Sequence, residues 1–214
     1  MTTLGARTVN DFYTVNELQE ALRETEPGWC DTSNSSDEMI MSLPSLNLDE
    51  EAKRLMVLKS YGILENDLCD QSFDGYTNLA QEVFDVPMSM ICLVDMDLIW
   101  IKSAGGIFHK QMKIPRSEGL CSHVLSQKQG NGMLIINDTL ADSRFRFHPE
   151  VTGGQKVRFY AGTPLVTPEG QKIGVLSIAD TMPRPKGLTY SQQKRLRDMA
   201  TTAVYDIIMF ASDL

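Results

Sequence analysis

Little in these 214 residues would suit a membrane span, a nucleic-acid surface or a metal centre. No apolar run approaches the ~20 residues that cross a bilayer, and the polar N-terminus carries no secretory pattern. The expectation is a soluble, intracellular protein without membrane insertion, cytoplasmic unless an organelle holds it. Basic side chains are outnumbered, 20 Lys and Arg against 28 Asp and Glu, and the net charge of −8 argues against nucleic acid as a partner. The four cysteines, Cys30, Cys69, Cys92 and Cys121, show no CxxC or other metal spacing, so reduced thiols are expected. The three histidines, His109, His123 and His148, could join Cys121 around zinc only if loops gathered them, and no spacing supports that, so no metal is expected. No internal repeat is visible.

What the chain does have is 42% hydrophobic content, enough for one core and an appendage. The charge is uneven: residues 1 to 48 carry 8 acidic and 2 basic side chains, which is −6 of the total −8. That segment reads as an acidic arm. Thr14-x-x-Glu17 has capping-box form, with Val15, Leu18 and Leu22 on one face of a short helix ended by Pro27-Gly28. A polar linker with an apolar knot, Met39-Ile40-Met41, follows. The arm is either a solvated tail, dispensable for folding, or a docking helix for another protein.

Residues 49 to 214 read as a single domain. Asn47-x-x-Glu50 opens a helix closed near Gly62, and a second runs from about Gln71 to Phe84, where Val86-Pro87 stops it. Ser89 to Asp95 has too little polar alternation to be exposed, hence a central strand, and Leu98 to Ala104 is its hairpin partner. Residues 107 to 157 are the least regular, with a short helix from Cys121 to Gln127, a strand from Met133 to Ile136 and a helical turn from Ala141 to Phe145. Arg158 to Val166 and Lys172 to Ala179 form a second hairpin about Pro168-Glu169-Gly170-Gln171. In its second strand Gly174, Leu176 and Ile178 alternate with Val175, Ser177 and Ala179, so helices should pack on the first set and something else on the small-residue set. Thr189-x-x-Gln192 caps a final helix to about Ala211 whose apolar stripe is about 30 Å long. The sum is an α+β fold: an antiparallel sheet of five or six strands, terminal helices on one face and a lid of short elements on the other.

The hairpin RFYAGTPLVTPEGQKIGVLSIAD, with FD at 73 and 74, VPMSMICLVD from 86, WIKSAGG from 100, CSH from 121, DSRF from 142 and HPEVTGG from 148, resembles GAF domains over about residues 50 to 212. The resemblance implies the same architecture, with a ligand between sheet and lid. It departs from that pattern at Leu98, where an Arg is usual, at Ser177, where a Cys is usual, and in lacking the motif of cyclic-nucleotide-binding relatives.

Candidate ligand-binding residues are Cys121, His123, Asp138, Arg158, Tyr160, Ser177 and Ala179. Cys121 and His123 open a helix, where a thiolate is favoured, although two residues apart they point to different sides and make a poor catalytic pair. The resemblance implies that residues in this neighbourhood line the pocket and that some relatives attach a bilin there. No resolving partner for Cys121 is evident, since Cys92 lies in a core strand, so no enzyme is expected. Arg144 and Arg158 with Asp138 and Asp142 form either an anion-reading rim or a salt-bridge network. A bilin-like chromophore and a nucleotide-like small molecule both stay open as ligands. Trp100, Phe147 and Tyr160 read as core aromatics, only one of Phe159 and Tyr160 facing the lid. The expected function is a non-catalytic sensor or regulatory module that binds a small molecule and signals to a separate protein. The alternative is an interaction subunit with a side-chain-filled pocket that binds partners through its arm and C-terminal helix. Either way the C-terminal helix, with Met199, Val204, Ile208 and Phe210, is the expected homodimer or partner surface.

Overall fold

The computed structural model describes residues 12, 14–25, 47–64, 68–106, 112–127 and 132–212. The Met39-Ile40-Met41 knot, Cys30 and His109 lie outside them. The described residues hold six helices and six strands, in the order α1 (Val15–Thr25), α2 (Leu48–Ser60), α3 (Leu68–Phe84), β1 (Met88–Val94), β2 (Leu98–Gly105), β3 (Lys113–Pro115), α4 (Cys121–Leu125), β4 (Leu134–Ile136), α5 (Pro149–Thr152), β5 (Phe159–Val166), β6 (Lys172–Asp180) and α6 (Tyr190–Ser212). A 3-10 turn covers Arg116–Glu118.

The strands make one antiparallel sheet in the order β3-β2-β1-β6-β5-β4. Its centre is the pairing of β1 with β6, which joins the two hairpins read from the sequence: Cys92 stands opposite Val175, Met90 opposite Ser177 and Met88 opposite Ala179. Gly170 turns the β5–β6 hairpin at φ 82, where a side chain would strain the backbone, and its N–H donates to Thr167 O at 2.8 Å. Caps close the helices as their sequences require. Asn47 Oδ1 accepts from the N–H groups of Asp49 and Glu50, and Thr189 and Gln192 exchange bonds in a capping box.

The alternation along the strands divides the interior in two. Leu176, Ile178, Phe159, Ala161, Ile91 and Leu93 face α2, α3 and α6, where Leu55, Leu58, Phe73, Phe84, Leu196, Ala203 and Ile207 complete one core. Val175, Ala179, Tyr160, Met88, Met90, Cys92, Ile99 and Ile101 face the lid, against Leu120, Cys121, Val124 and Phe145. This is the expected α+β arrangement.

Four differences have physical causes. The arm is not a detached tail: α1 packs on α2, Leu18 is fully buried in the helix-side core, and Gln19 donates to Asp49 at 2.8 Å. Its apolar face, though short, meets a matching face on α2. The segment from Ala141 to Phe145 is a series of hydrogen-bonded turns rather than a helix, with Asp138 O accepting from the N–H groups of both Ala141 and Asp142. Phe147 is not core but 65% exposed, because the turn that buries Phe145 aims it outward under the Arg146 guanidinium. On α6, Val204 belongs to the core and Met199, Ile208 and Phe210 pack against it, so the exposed large apolar residues are instead Tyr190 at its start and Tyr205 and Met209 near its end.

Candidate functional site

The lid-side layer begins at a low spot in the sheet. Gly162 on β5 lies between Ser177 and Leu134 in the register, and a Cβ built there would stand 2.7 Å from Tyr160 Oη and 2.8 Å from Val124 Cγ2. The absence of that Cβ lets the phenol ring of Tyr160 fold over the strand while Val124 descends from α4. The small-residue face is therefore filled at this point by Tyr160 and Val124.

Helix α4 is held from three directions. Lys172 Nζ on β6 donates to Leu125 O and Gln127 O at 3.0 and 2.6 Å, Ser122 Oγ donates to Arg116 O at 2.6 Å, and the Leu120 N–H donates to Glu150 Oε1 at 3.2 Å. These bonds set Cys121 in the lid-side layer, fully buried, in the same apolar cluster as Cys92 of β1. Both Cys92 and Cys121 are free thiols buried in that layer. The contact with Cys92, together with burial, pushes the Cys121 thiol well above its ordinary pKa. The reactive thiolate that a helix start would favour is not present in this closed arrangement.

Glu150 and His148 complete the layer. His148 caps α5, its Nδ1 accepting from the Glu150 N–H at 3.2 Å, which leaves the neutral ring's proton on a buried Nε2 that has no partner. Burial and the neighbouring His123 lower the His148 pKa to about 4. His123 sits edge-on to the ring of Phe145 at 5.1 Å, and burial with the nearby Arg144 lowers its pKa to about 4 as well. Glu150 is buried with the Leu120 N–H as its stabilising donor, and burial raises its carboxyl to about 7. Cys92, Cys121 and Tyr160 share this buried layer, and Glu150 meets it through the Leu120 N–H. Burial and these neighbours hold the Tyr160 phenol well above its usual range. Its oxygen has no hydrogen-bond partner. Ser177 lies close by without bonding geometry, and its own donation to Met90 O is long at 3.5 Å.

The structure therefore gathers Cys121, Tyr160, Ser177 and Ala179 into one buried layer, with His123 at its margin. It pairs the other two candidates with each other: Arg158 donates to both carboxylate oxygens of Asp138 at 2.9 and 2.8 Å, part-exposed, and holds that carboxyl below the usual range. Arg144 likewise pairs with Asp142. Of the two readings of these four residues, the geometry is that of salt bridges, as two separate pairs. Glu150 escaped the sequence reading because it lies in a segment read as irregular loop, while His148 was weighed there only as a zinc ligand and Cys92 set aside as a core-strand residue. Among the described residues no group of three or more His, Cys, Asp or Glu could hold a metal ion.

A second buried cluster ties the lid to α2. Glu51 Oε1 accepts from Arg54 and from Arg116, each at 2.6 Å, and both arginines also donate to carbonyls at the β1–β2 turn, Val94 for Arg54 and Asp95 and Met96 for Arg116. Burial alone would raise the Glu51 carboxyl, but the two guanidinium groups carry it far below its ordinary value.

The sheet, the lid and α6 up to residue 205 all fall within a match to the GAF domain family, over residues 69–205. The chain belongs to the GAF domain family. A cyclic di-GMP phosphodiesterase of Pseudomonas aeruginosa is 32% identical over 144 residues, 67% of this chain but only 23% of that protein, so this GAF chain spans about a quarter of the curated relative. Among solved structures, the GAF domain of a phosphoenolpyruvate-protein phosphotransferase from Coxiella burnetii superposes with a TM-score of 0.56 at 14% identity, covering 78% of this chain and 98% of the other. The free methionine-R-sulfoxide reductase of Neisseria meningitidis, in complex with its substrate, gives 0.55 at 15%, covering 79% and 96%. At such identities these structures share the GAF fold with this chain. Among the described residues no helix is long and apolar enough to cross a membrane.

Proposed function

We propose that this GAF domain, residues 49 to 214, is a non-catalytic regulatory module that takes a small polar molecule between its sheet and its lid and passes the change to a separate protein. The observation that carries the reading is the pair of buried, unpartnered groups in the lid layer, Tyr160 Oη and His148 Nε2–H, beside the buried Glu150 carboxyl. Each unpaired polar group costs the empty protein about 1–3 kcal/mol, a cost an acceptor-bearing ligand relieves on entering. Tyr160 would swing off Gly162 to admit it. The route outward is Arg116, which starts the lid and shares Glu51 with α2. Catalysis is not part of the reading, because the one thiol of the lid is buried and held protonated. The bidentate closure of Arg158 on Asp138 favours a ligand without a phosphate group over a nucleotide-like one.

A second reading, an interaction subunit with a filled pocket, is favoured by the way Tyr160 and Val124 occupy the space over Gly162. Tyr160→Phe separates the two. Under the first reading the variant, freed of an unpaired hydroxyl, melts at or above the parent temperature, yet loses a ligand that native mass spectrometry detects on the parent from its source. A parent that carries no small molecule from any source or metabolite pool, with a Tyr160→Phe protein that binds its protein partner unchanged, would establish the second.

A further inference from the structure

The outer side of the lid carries a feature that its buried layer does not explain. Residues 138 to 148 form a chain of tight turns: Asp138 O accepts from the N–H groups of Ala141 and Asp142, Asp142 O from those of Phe145 and Arg146, and Phe145 O from that of His148. These bonds bury Phe145 and leave the two residues after it exposed. Phe147 is 65% exposed, and the Arg146 guanidinium stands over its ring, 5.7 Å from the centroid. Arg144 is exposed while it holds Asp142, and Arg146 has no carboxylate partner among the described residues. A fixed aromatic ring beside an unpaired guanidinium offers an acidic, apolar peptide both a charge pair and buried area.

The same chain supplies such a peptide. Residues 26 to 46 hold Glu26, Asp31, Asp37 and Glu38 and no Lys or Arg, and Asp37-Glu38 runs straight into Met39-Ile40-Met41. Two acids followed by an apolar knot complement Arg144-x-Arg146-Phe147. The tether is also in the right place. The segment lies between α1 and α2 in the chain, and Glu51, one turn into α2, meets Arg116 at the start of the lid at 2.6 Å. Four residues beyond Arg116 the Leu120 N–H is bonded to Glu150, which is three residues from Phe147. Met39 is eight residues from Asn47, or about 26 Å of extended chain, enough to follow that path while α1 and α2 stay packed. We propose that Arg146 and Phe147 are a docking surface for the chain's own acidic segment, Asp37 and Glu38 meeting the guanidinium groups and Met39 and Met41 the Phe147 ring. Tethering holds the segment near the lid at about millimolar effective concentration, so a weak contact suffices. The surface lies outside the lid layer, and its occupation does not rest on the ligand reading.

The test compares the full chain with Asp37→Arg/Glu38→Arg, whose changes fall outside every described helix and strand. In proton–nitrogen NMR spectra the amide signals of residues 144 to 148 should move between the two proteins while those of β1 and β6 stay, at an unchanged melting temperature. Arg146→Glu should release the segment, read as hydrogen exchange over residues 26 to 46 about tenfold faster than in the parent. Phe147→Ala should do the same. Joining Arg146→Glu to Asp37→Arg/Glu38→Arg restores the opposite charges and should restore the slow exchange. Lid signals that ignore the charge reversal, a parent segment that exchanges at free-peptide rates, or a combined variant that stays fast would each overturn the proposal. Protection that grows with protein concentration alongside a doubled mass in light scattering would assign the surface to the segment of a second copy and overturn docking within one chain.

Discussion

Glu150 is a carboxylic acid kept in a place unsuited to its anion, and this gives the protein a pH dependence opposite to that of an ordinary salt-bridged acid. Its pKa rises from 4.5 unfolded to about 7 folded, so between these values the native state holds the extra proton. Stability from this group therefore falls as pH climbs from about 4.5 to 7, by on the order of 3 kcal/mol, and is flat above. Glu150→Gln should melt higher than the parent at pH 8, with the gain vanishing near pH 4.5. A gain independent of pH in melting curves would show that the carboxyl is not the cause. His123 and His148 act the other way: their folded pKa values of about 4 lie below the unfolded 6.5, so stability is lost as pH falls through that window. Ala179 stands opposite Met88 and Tyr160 in a filled layer, and Ala179→Phe should cost about 1–3 kcal/mol in urea unfolding. Glu51 is the least replaceable side chain. Glu51→Leu leaves two buried guanidinium groups without their shared anion and should cost about 3–5 kcal/mol. The two faces of β6 could be read from the alternation of Val175, Ser177 and Ala179. The meeting of Glu51 with Arg116 could not, because that pair is made by α2 and the lid coming together and no local pattern marks it.

At the scale of elements, α1 belongs to the core by way of Leu18 and Ala21. Leu18→Ala should cost about 2–5 kcal/mol, read as a lowered urea midpoint, and a negligible change would return α1 to the status of a loose appendage. The long helix α6 spends its inner face on Leu196, Ala200, Ala203 and Ile207 and leaves Tyr205 and Met209, one turn apart, 61% and 65% exposed. If this row meets a second copy or a partner, Met209→Asp should lower the mass seen by light scattering or weaken partner capture without moving the melting point. An unchanged mass with undiminished capture would leave the row as ordinary surface. The long helices and both hairpins were legible because each carries its own caps, turns or apolar period. Strand β3 and helix α5 were not, since a three-residue strand exists only by pairing with β2 and a four-residue helix only by the cap that His148 provides.

Taken as a whole, the molecule places the helices near its two ends on one side of the sheet and the lid on the other. Helices α1 and α6 therefore lie away from the candidate site. Any influence of that site on those ends has to pass through the sheet or around its edge, and the Arg116–Glu51–Arg54 cluster is a direct polar connection of that kind.

The strand order has a consequence in time. Hairpins β1–β2 and β5–β6 can each close within their own short stretch of chain, but the seam between them pairs residue 93 with residue 174 and residue 88 with residue 179. That seam carries the largest loop-closure entropy, so it should zip late, after both hairpins exist with their inner edges unpaired. During that interval two apolar strand edges, Met88–Val94 and Lys172–Asp180, stand open to the wrong partner. Refolding should accordingly lose yield as protein concentration rises, and Leu176→Ala, at the seam, should speed unfolding far more than it slows folding in a stopped-flow chevron.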